Sequence, residues 1–229
     1  MGLATPTAGN RPEPAPRDGR DTRWEAHREQ RRGELVDATI RAIRAHGAGV
    51  GMDDIASTAA TSKTVIYRHF GDKAGLYRAV ADRIDQRVYR HVSAALAATG
   101  ATDDLRVAVA STVEAYLSLV ESDAEVYRFV VNRPLVETPL PDDPVEATTD
   151  RVVDLLLSSV PLQGDPRRAR LWAIAFVGSV RAVADDWLSS VDRLPRGDVV
   201  GVLTDLAWRG LGPMLSVRRD VHPSRASEQ

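Results

Sequence analysis

Residues 61–77 read TSKTVIYRHFGDKAGLY and hold Lys63 and Lys73, the two lysines of a chain whose other fixed cations are arginines. At about 100° per helical residue, with Lys63 at zero, Tyr67, Thr64 and Arg68 fall at about 40°, 100° and 140°, and Val65, His69, Ile66 and Phe70 fall between about 200° and 340°. One face packs. The other mounts an ammonium, a hydroxyl, a phenol and a guanidinium on a rigid rod, the donors that reach phosphate oxygens and base edges. A merely solvated surface helix has the same pattern, so the neighbouring elements must decide between the two. Gly71 and Asp72 follow as a C-cap and an N-cap. Lys73 then places a cation in the first turn of the next helix, where the dipole disfavours it. Either Asp72 neutralises that charge or an outside anion such as a DNA phosphate does.

Chemistry of other kinds finds little material. There is no cysteine, hence no thiolate nucleophile, disulfide or cysteine zinc site. The chain contains neither G-x-S-x-G nor H-E-x-x-H, and its five histidines are not grouped at metal-ligand spacing. No catalytic residue, metal site or cofactor is therefore expected. The run HGAGVGMDD imitates a dinucleotide loop but has Met52 where the third glycine belongs, and a helix precedes it instead of a strand.

The elements that must position the donors are helical. Val36, Ile40 and Ile43 are spaced for one helix face, and the helix from Trp24 to His46 stops at Gly47. Two short helices follow, near Asp53 to Ala59 and Ser62 to Phe70, and then a long one from Asp72 into the nineties. Leu105, Val109, Val113, Tyr116, Leu117 and Val120 mark a helix behind Asp103. The run AEVYRFVV predicts a shorter one ended by the proline cluster RPLVETPLPDDP. Val145 to Ser159 is another, stopped by Pro161. Asp165-Pro166 opens LWAIAFVGSVRAVADDWL, which is apolar on nearly every side and is expected to be buried all round. A last helix runs from about Arg196 to Leu211. The expectation is an all-α protein of about nine helices.

Residues 1–91 carry 16 Lys and Arg against 12 Asp and Glu, and residues 92–229 carry 14 against 20. A basic front on an acidic back suits a nucleic-acid-binding segment attached to a body with another task. The proline-rich stretch 1–22 has almost nothing to bury and is expected to be disordered. With no signal-peptide core and no apolar run of membrane-spanning length, the expected location is the cytoplasm, with no membrane partner.

In the head, DDIASTA and the helix after it are separated by only a few residues, as in a helix-turn-helix. The segment GELVDATIRAIRAHGAGVGMDDIASTAATSKTVIYRHFGDKAGLYRAV resembles the DNA-binding domain of TetR-family transcriptional repressors. Ile55, Ala56, Ser62, Lys63, Tyr67, Phe70, Lys73 and Leu76 carry the family's frame. The resemblance implies a DNA-binding domain over 23–75, its helix-turn-helix at about 53–70, a ligand-binding and dimerisation domain over 76–215, and a flexible tail over 216–229. Lys63 and Thr64 would approach base edges, and Ser62, Tyr67, Arg68, His69 and Lys73 would mainly hold phosphates of a double-stranded operator. For His69, its place beside Val65, Ile66 and Phe70 gives packing an equal claim. Three departures from the family stand out. Ala60 and Thr61 replace a usual glycine and apolar residue, Thr64 replaces a frequent glycine, and Met52 stands near a position where threonine commonly touches DNA. Arg23, Arg28, Arg31 and Arg32 are either solvated or add backbone contacts.

For the body the resemblance implies a homodimer through the last two long helices, with Trp172, Trp187 and Trp208 as candidate anchors. It also implies a small-molecule effector site. Tyr116, Tyr127, Phe129, Phe176 and Arg181 are its candidates, although aromatics at helical spacing are commonly core and Arg181 has an i+4 partner in Asp185. DAEVYRFVV and the DDWL helix loosely resemble lipid-metabolism regulators that sense acyl chains or acyl-CoA. The function implied is a repressor released by an apolar effector. The rival readings are a helical interaction module of the same fold without specific DNA binding and, with less support, an enzyme.

Overall fold

The computed structural model describes residues 19–99, 104–136, 144–159 and 165–211, and among them every regular element is a helix. In chain order these are α1 (Gly19–His46), α2 (Met52–Thr58), α3 (Lys63–Phe70), α4 (Lys73–Thr99), α5 (Leu105–Ser122), α6 (Ala124–Asn132), α7 (Pro144–Ser159), α8 (Pro166–Ser189) and α9 (Arg196–Leu211). The expected all-α class and nine helices are what the described residues contain.

Each boundary has a local cause. Gly47 takes φ +88° and its N–H reaches the Ile43 carbonyl at 2.8 Å, which closes α1. Ser62 caps α3 weakly, its hydroxyl accepting from Val65 N–H at 3.4 Å, and Gly71 ends α3 at φ +83°. Asp72 Oδ1 accepts from Gly75 N–H at 2.6 Å and so caps α4. Asp165 accepts from Arg167 N–H at 2.9 Å ahead of Pro166. The cap of α5 is Asp104 and not Asp103, because the cap must directly precede Leu105; its Oδ1 accepts from Arg106 N–H at 2.9 Å. Helix α1 begins at Gly19, earlier than Trp24, since no proline after Pro16 stands in the way of helical turns. The tail expected over 1–22 thus overlaps α1, its residues 1–18 lie outside the described residues, and so does the tail expected over 216–229.

Two large cores organise these helices. The first joins Leu35, Ile40 and Ile43 of α1, Ile55 of α2, Ile66 and Phe70 of α3, and Leu76, Tyr77 and Val80 of α4. Val126 and Phe129 of α6 enter the same cluster, so a head ending at residue 75 would cut through continuous packing. Polar ties reinforce that junction: Arg44 pairs with Asp123 at 2.5 Å, Ala48 N–H donates to Glu125 Oε2 at 2.8 Å, and the Tyr77 hydroxyl donates to the Val130 carbonyl at 2.7 Å. The second core gathers Val113, Leu117 and Val120 of α5 with Phe176, Val180, Trp187 and Leu188 of α8 and Leu203 of α9. Helix α4 lies against α5 and α7 as well as the head, and is the rod common to both parts.

Candidate functional site

Helix α3 turns the expected face outward. Ser62, Lys63, Thr64, Arg68 and, in the first turn of α4, Lys73 are exposed; Tyr67 and His69 are half-buried, and Ile66 and Phe70 are buried beneath them. The turn before α3 is a full Schellman motif. Ala60 N–H donates to the Ser57 carbonyl and Thr61 N–H to the Ala56 carbonyl, both at 3.0 Å, with Ala60 in the left-handed position at φ +48°. The family's turn is therefore kept despite the missing glycine. Met52 is buried in the head core and is not a DNA-facing residue, because the position opening α2 to solvent belongs to Gly51.

Two residues of this region lie outside the sequence expectations. Asp53, in the first turn of α2, pairs with Lys63, Oδ1 to Nζ 2.8 Å, and this raises the lysine's pKa. Ten residues separate the two, so no helical spacing announces the contact; only the meeting of α2 and α3 does. Arg32 is not a free cation for DNA: it donates to the His69 carbonyl at 2.6 Å and lies over the Phe70 ring, 4.5 Å from its centroid. Arg31 pairs with Glu34 on α1 at 2.9 Å. Burial, and then the charges of Arg68, Arg31, Arg32 and Arg28, hold the His69 imidazole below its ordinary pKa. The ring has both neighbourhoods that its position suggested, apolar on one side and cationic on the other.

The body contains an apolar cavity, part of it open to solvent, between α4, α5, α6, α7 and α8. Tyr116, Tyr127, Phe176 and Arg181 line it. Phe129 does not: it is fully buried in the head core with its ring 6.0 Å from that of Tyr77, because its face of the short α6 points at α1 and α4. Tyr127 donates to Asp185 Oδ1 at 2.5 Å, and the Tyr116 hydroxyl donates to that of Tyr127 at 3.4 Å. Burial pushes the Tyr116 phenol up to about 12 and Tyr127 further in the same direction, so both stay neutral donors. Asp185 accepts from Tyr127, the i+4 pair expected for Arg181 is not made, and among the described residues Arg181 has no carboxylate within ion-pair distance. Asp85 also lines the cavity, paired with Arg151 of α7. It was legible in principle, because it falls inside the apolar stripe Ala81, Ile84, Val88 and Val92 of α4.

The outer helices are not buried all round. Leu171 and Ile174 of α8 and Val202 and Leu206 of α9 are 68, 40, 62 and 54% exposed, so one apolar face of this pair is open in the single chain. Trp172, half-buried, stacks on Phe176 at 5.3 Å, and Trp208 is half-buried. Trp187 cannot anchor a partner: it is 5% exposed, with its indole N–H donating to the Leu194 carbonyl at 2.8 Å in its own chain.

A helix-turn-helix with a donor-bearing second helix, fixed to a helical body that encloses an apolar cavity, defines a one-chain DNA-binding regulator. Residues 35–80 match the family described as "Bacterial regulatory proteins, tetR family", and residues 91–221 match "Tetracyclin repressor-like, C-terminal domain". The chain belongs to the TetR family of transcriptional regulators. It is 33% identical over 221 residues to an uncharacterized HTH-type transcriptional regulator of Mycobacterium tuberculosis, covering 90% of this chain and 91% of that one. It is also 33% identical over 210 residues to the HTH-type transcriptional activator FasR of Mycolicibacterium smegmatis, covering 90 and 94%. Among solved structures, a tetR-family regulator from Streptomyces coelicolor superposes with a TM-score of 0.66 at 19% identity over 81 and 82% of the two chains. A TetR-like regulator from Rhodococcus does so with a TM-score of 0.53 at 27% identity over 81 and 96%. Among the described residues no helix is long and apolar enough to cross a membrane, and no group of three or more His, Cys, Asp or Glu is placed to hold a metal.

Proposed function

We propose that the protein is a cytoplasmic homodimer that represses transcription from a palindromic operator and releases it when a small, largely apolar effector enters the body. The observation that carries this reading is the shared rod α4, with Lys73 in its first turn and Ile84, Asp85, Val88 and Val92 on the wall of the cavity. A ligand between α4 and α7 acts directly on the element that orients α3.

The open face of α8 and α9 supplies the dimer contact, with Trp172 and Trp208 at its margins and Leu171, Ile174, Val202 and Leu206 at its centre. Two heads related by the resulting two-fold axis meet DNA about one helical turn apart and read a palindrome. In the cavity, the hydrocarbon walls take an apolar chain, while Arg181 receives a polar or anionic end, which suits an acyl chain or an acyl-CoA.

Selection from random duplexes at low salt tests the DNA half of the proposal, with an enriched palindrome expected and no enrichment overturning it. A native mass spectrum of the purified protein tests the rest, since it reports both the dimer and any retained ligand. One observation favours a second reading, activation in place of repression: FasR, a relative at 33% identity, is named an activator. Transcription in vitro with and without the protein decides the sign.

A further inference from the structure

The Asp53–Lys63 pair is open to water, with the two side chains 85 and 47% exposed. Pairs of this kind add little to stability, and the small gain that a carboxylate makes at the positive end of α2 is shared with Asp54 and needs no contact with Lys63. It stands beside Lys63, at the start of the exposed face of α3 that a polyanion must approach, where each phosphate attracted by Lys63 is repelled by Asp53. An ammonium has three N–H donors. Asp53 takes one and leaves the others free in a set direction from the first residue of α3.

We propose that Asp53 is a specificity-determining residue of the DNA-binding head, cancelling the attraction of Lys63 to phosphate while aiming its remaining donors at base acceptors. A neutral pair releases no counterion on random DNA and gains nothing there. At the right base, Lys63 donates to acceptors such as guanine O6 and N7 while keeping its bond to Asp53. The carboxylate lowers affinity for all DNA and lowers it least at the operator. This inference rests on the DNA-binding reading above.

The test uses the full-length protein, the isosteric Asp53→Asn variant, Lys63→Ala, and the double variant. Affinity for the selected duplex and for a scrambled duplex is measured across a salt series, after thermal melting has shown that each variant is folded. Asp53→Asn is expected to bind scrambled DNA several-fold more tightly, with a log–log salt slope steeper by about 0.9, and to lower the ratio of operator to scrambled affinity by about tenfold. In the Lys63→Ala background the same change should leave that ratio unmoved. An unchanged ratio in Asp53→Asn, or an equal change with and without Lys63, overturns the proposal while leaving the regulator reading intact. A wild-type protein that prefers no duplex overturns both.

Discussion

Lys63 and Lys73 sit ten residues apart but face different tasks, because one opens the exposed face of α3 and the other opens α4. Lys63→Ala is expected to relax the preference at one operator position by about 1–3 kcal/mol, read as a broadened motif in duplex selection. Lys73→Ala should weaken operator and random duplexes alike and flatten the log–log salt slope by about 0.9. Equal effects of the two substitutions on the motif would refute this division. Tyr116 offers a test of the cavity. Its folded pKa of about 12 lies above the ordinary 10, so its contribution to stability is complete below pH 10 and lost as pH climbs through about 12. Melting temperatures measured to alkaline pH should hold level up to about 10 and fall beyond it, and absorbance at the phenolate band should show a tyrosine ionising late. In Tyr116→Phe the component near 12 should disappear, and only Tyr127, which ionises later still, should remain.

The short elements of the head hold their geometry at two backbone points. At Ala60 an L-residue occupies the left-handed position of a Schellman turn, which costs about 1–2 kcal/mol in steric strain. Ala60→Gly relieves that strain against a larger entropy loss on folding, and is expected to stabilise the protein by about 0.5–1 kcal/mol, seen as a rise of about 1–4 °C in Tm. Gly75 is the reverse case: a Cβ there would lie 1.9 Å from the Phe70 carbonyl oxygen, so Gly75→Ala must push α3 and α4 apart and lower both Tm and operator affinity. At this scale the sequence was highly legible, since Gly47, Gly71, Asp72, Asp165 and Pro166 signal their boundaries locally and Val36, Ile40 and Ile43 their face. What it hid depends on contacts between distant segments. Phe129 carries no mark showing whether its face of α6 meets the cavity or the head, and Trp187 is sealed by a loop carbonyl, Leu194, that no periodicity brings near. Arg181 was readable as a polar group in an apolar helix, but nothing local shows that its i+4 neighbour Asp185 accepts instead from Tyr127 of another helix.

In the whole molecule the open α8–α9 face and the head are separate surfaces, so the proposed dimer contact can be removed without touching the proposed DNA contacts. The double change Leu171→Glu and Leu206→Glu should give a monomer by native mass spectrometry, with helix content intact by circular dichroism. Its operator affinity should drop by about a hundredfold or more, as two half-sites cease to be bound together. A dimer that survives the double change would place the interface elsewhere. The long helix α4 also sets a scale for signalling. From Lys73 to Asp85 it advances twelve residues, about 18 Å at 1.5 Å per residue. A tilt of about 10° pivoting near Asp85 would carry the α4 start sideways by about 3 Å, and mirrored in a second subunit it would alter the spacing of the heads by up to about 6 Å. Groove spacing in DNA is about 34 Å. By leverage alone, a change small enough to fit between two packed helices becomes a misfit that the double helix registers.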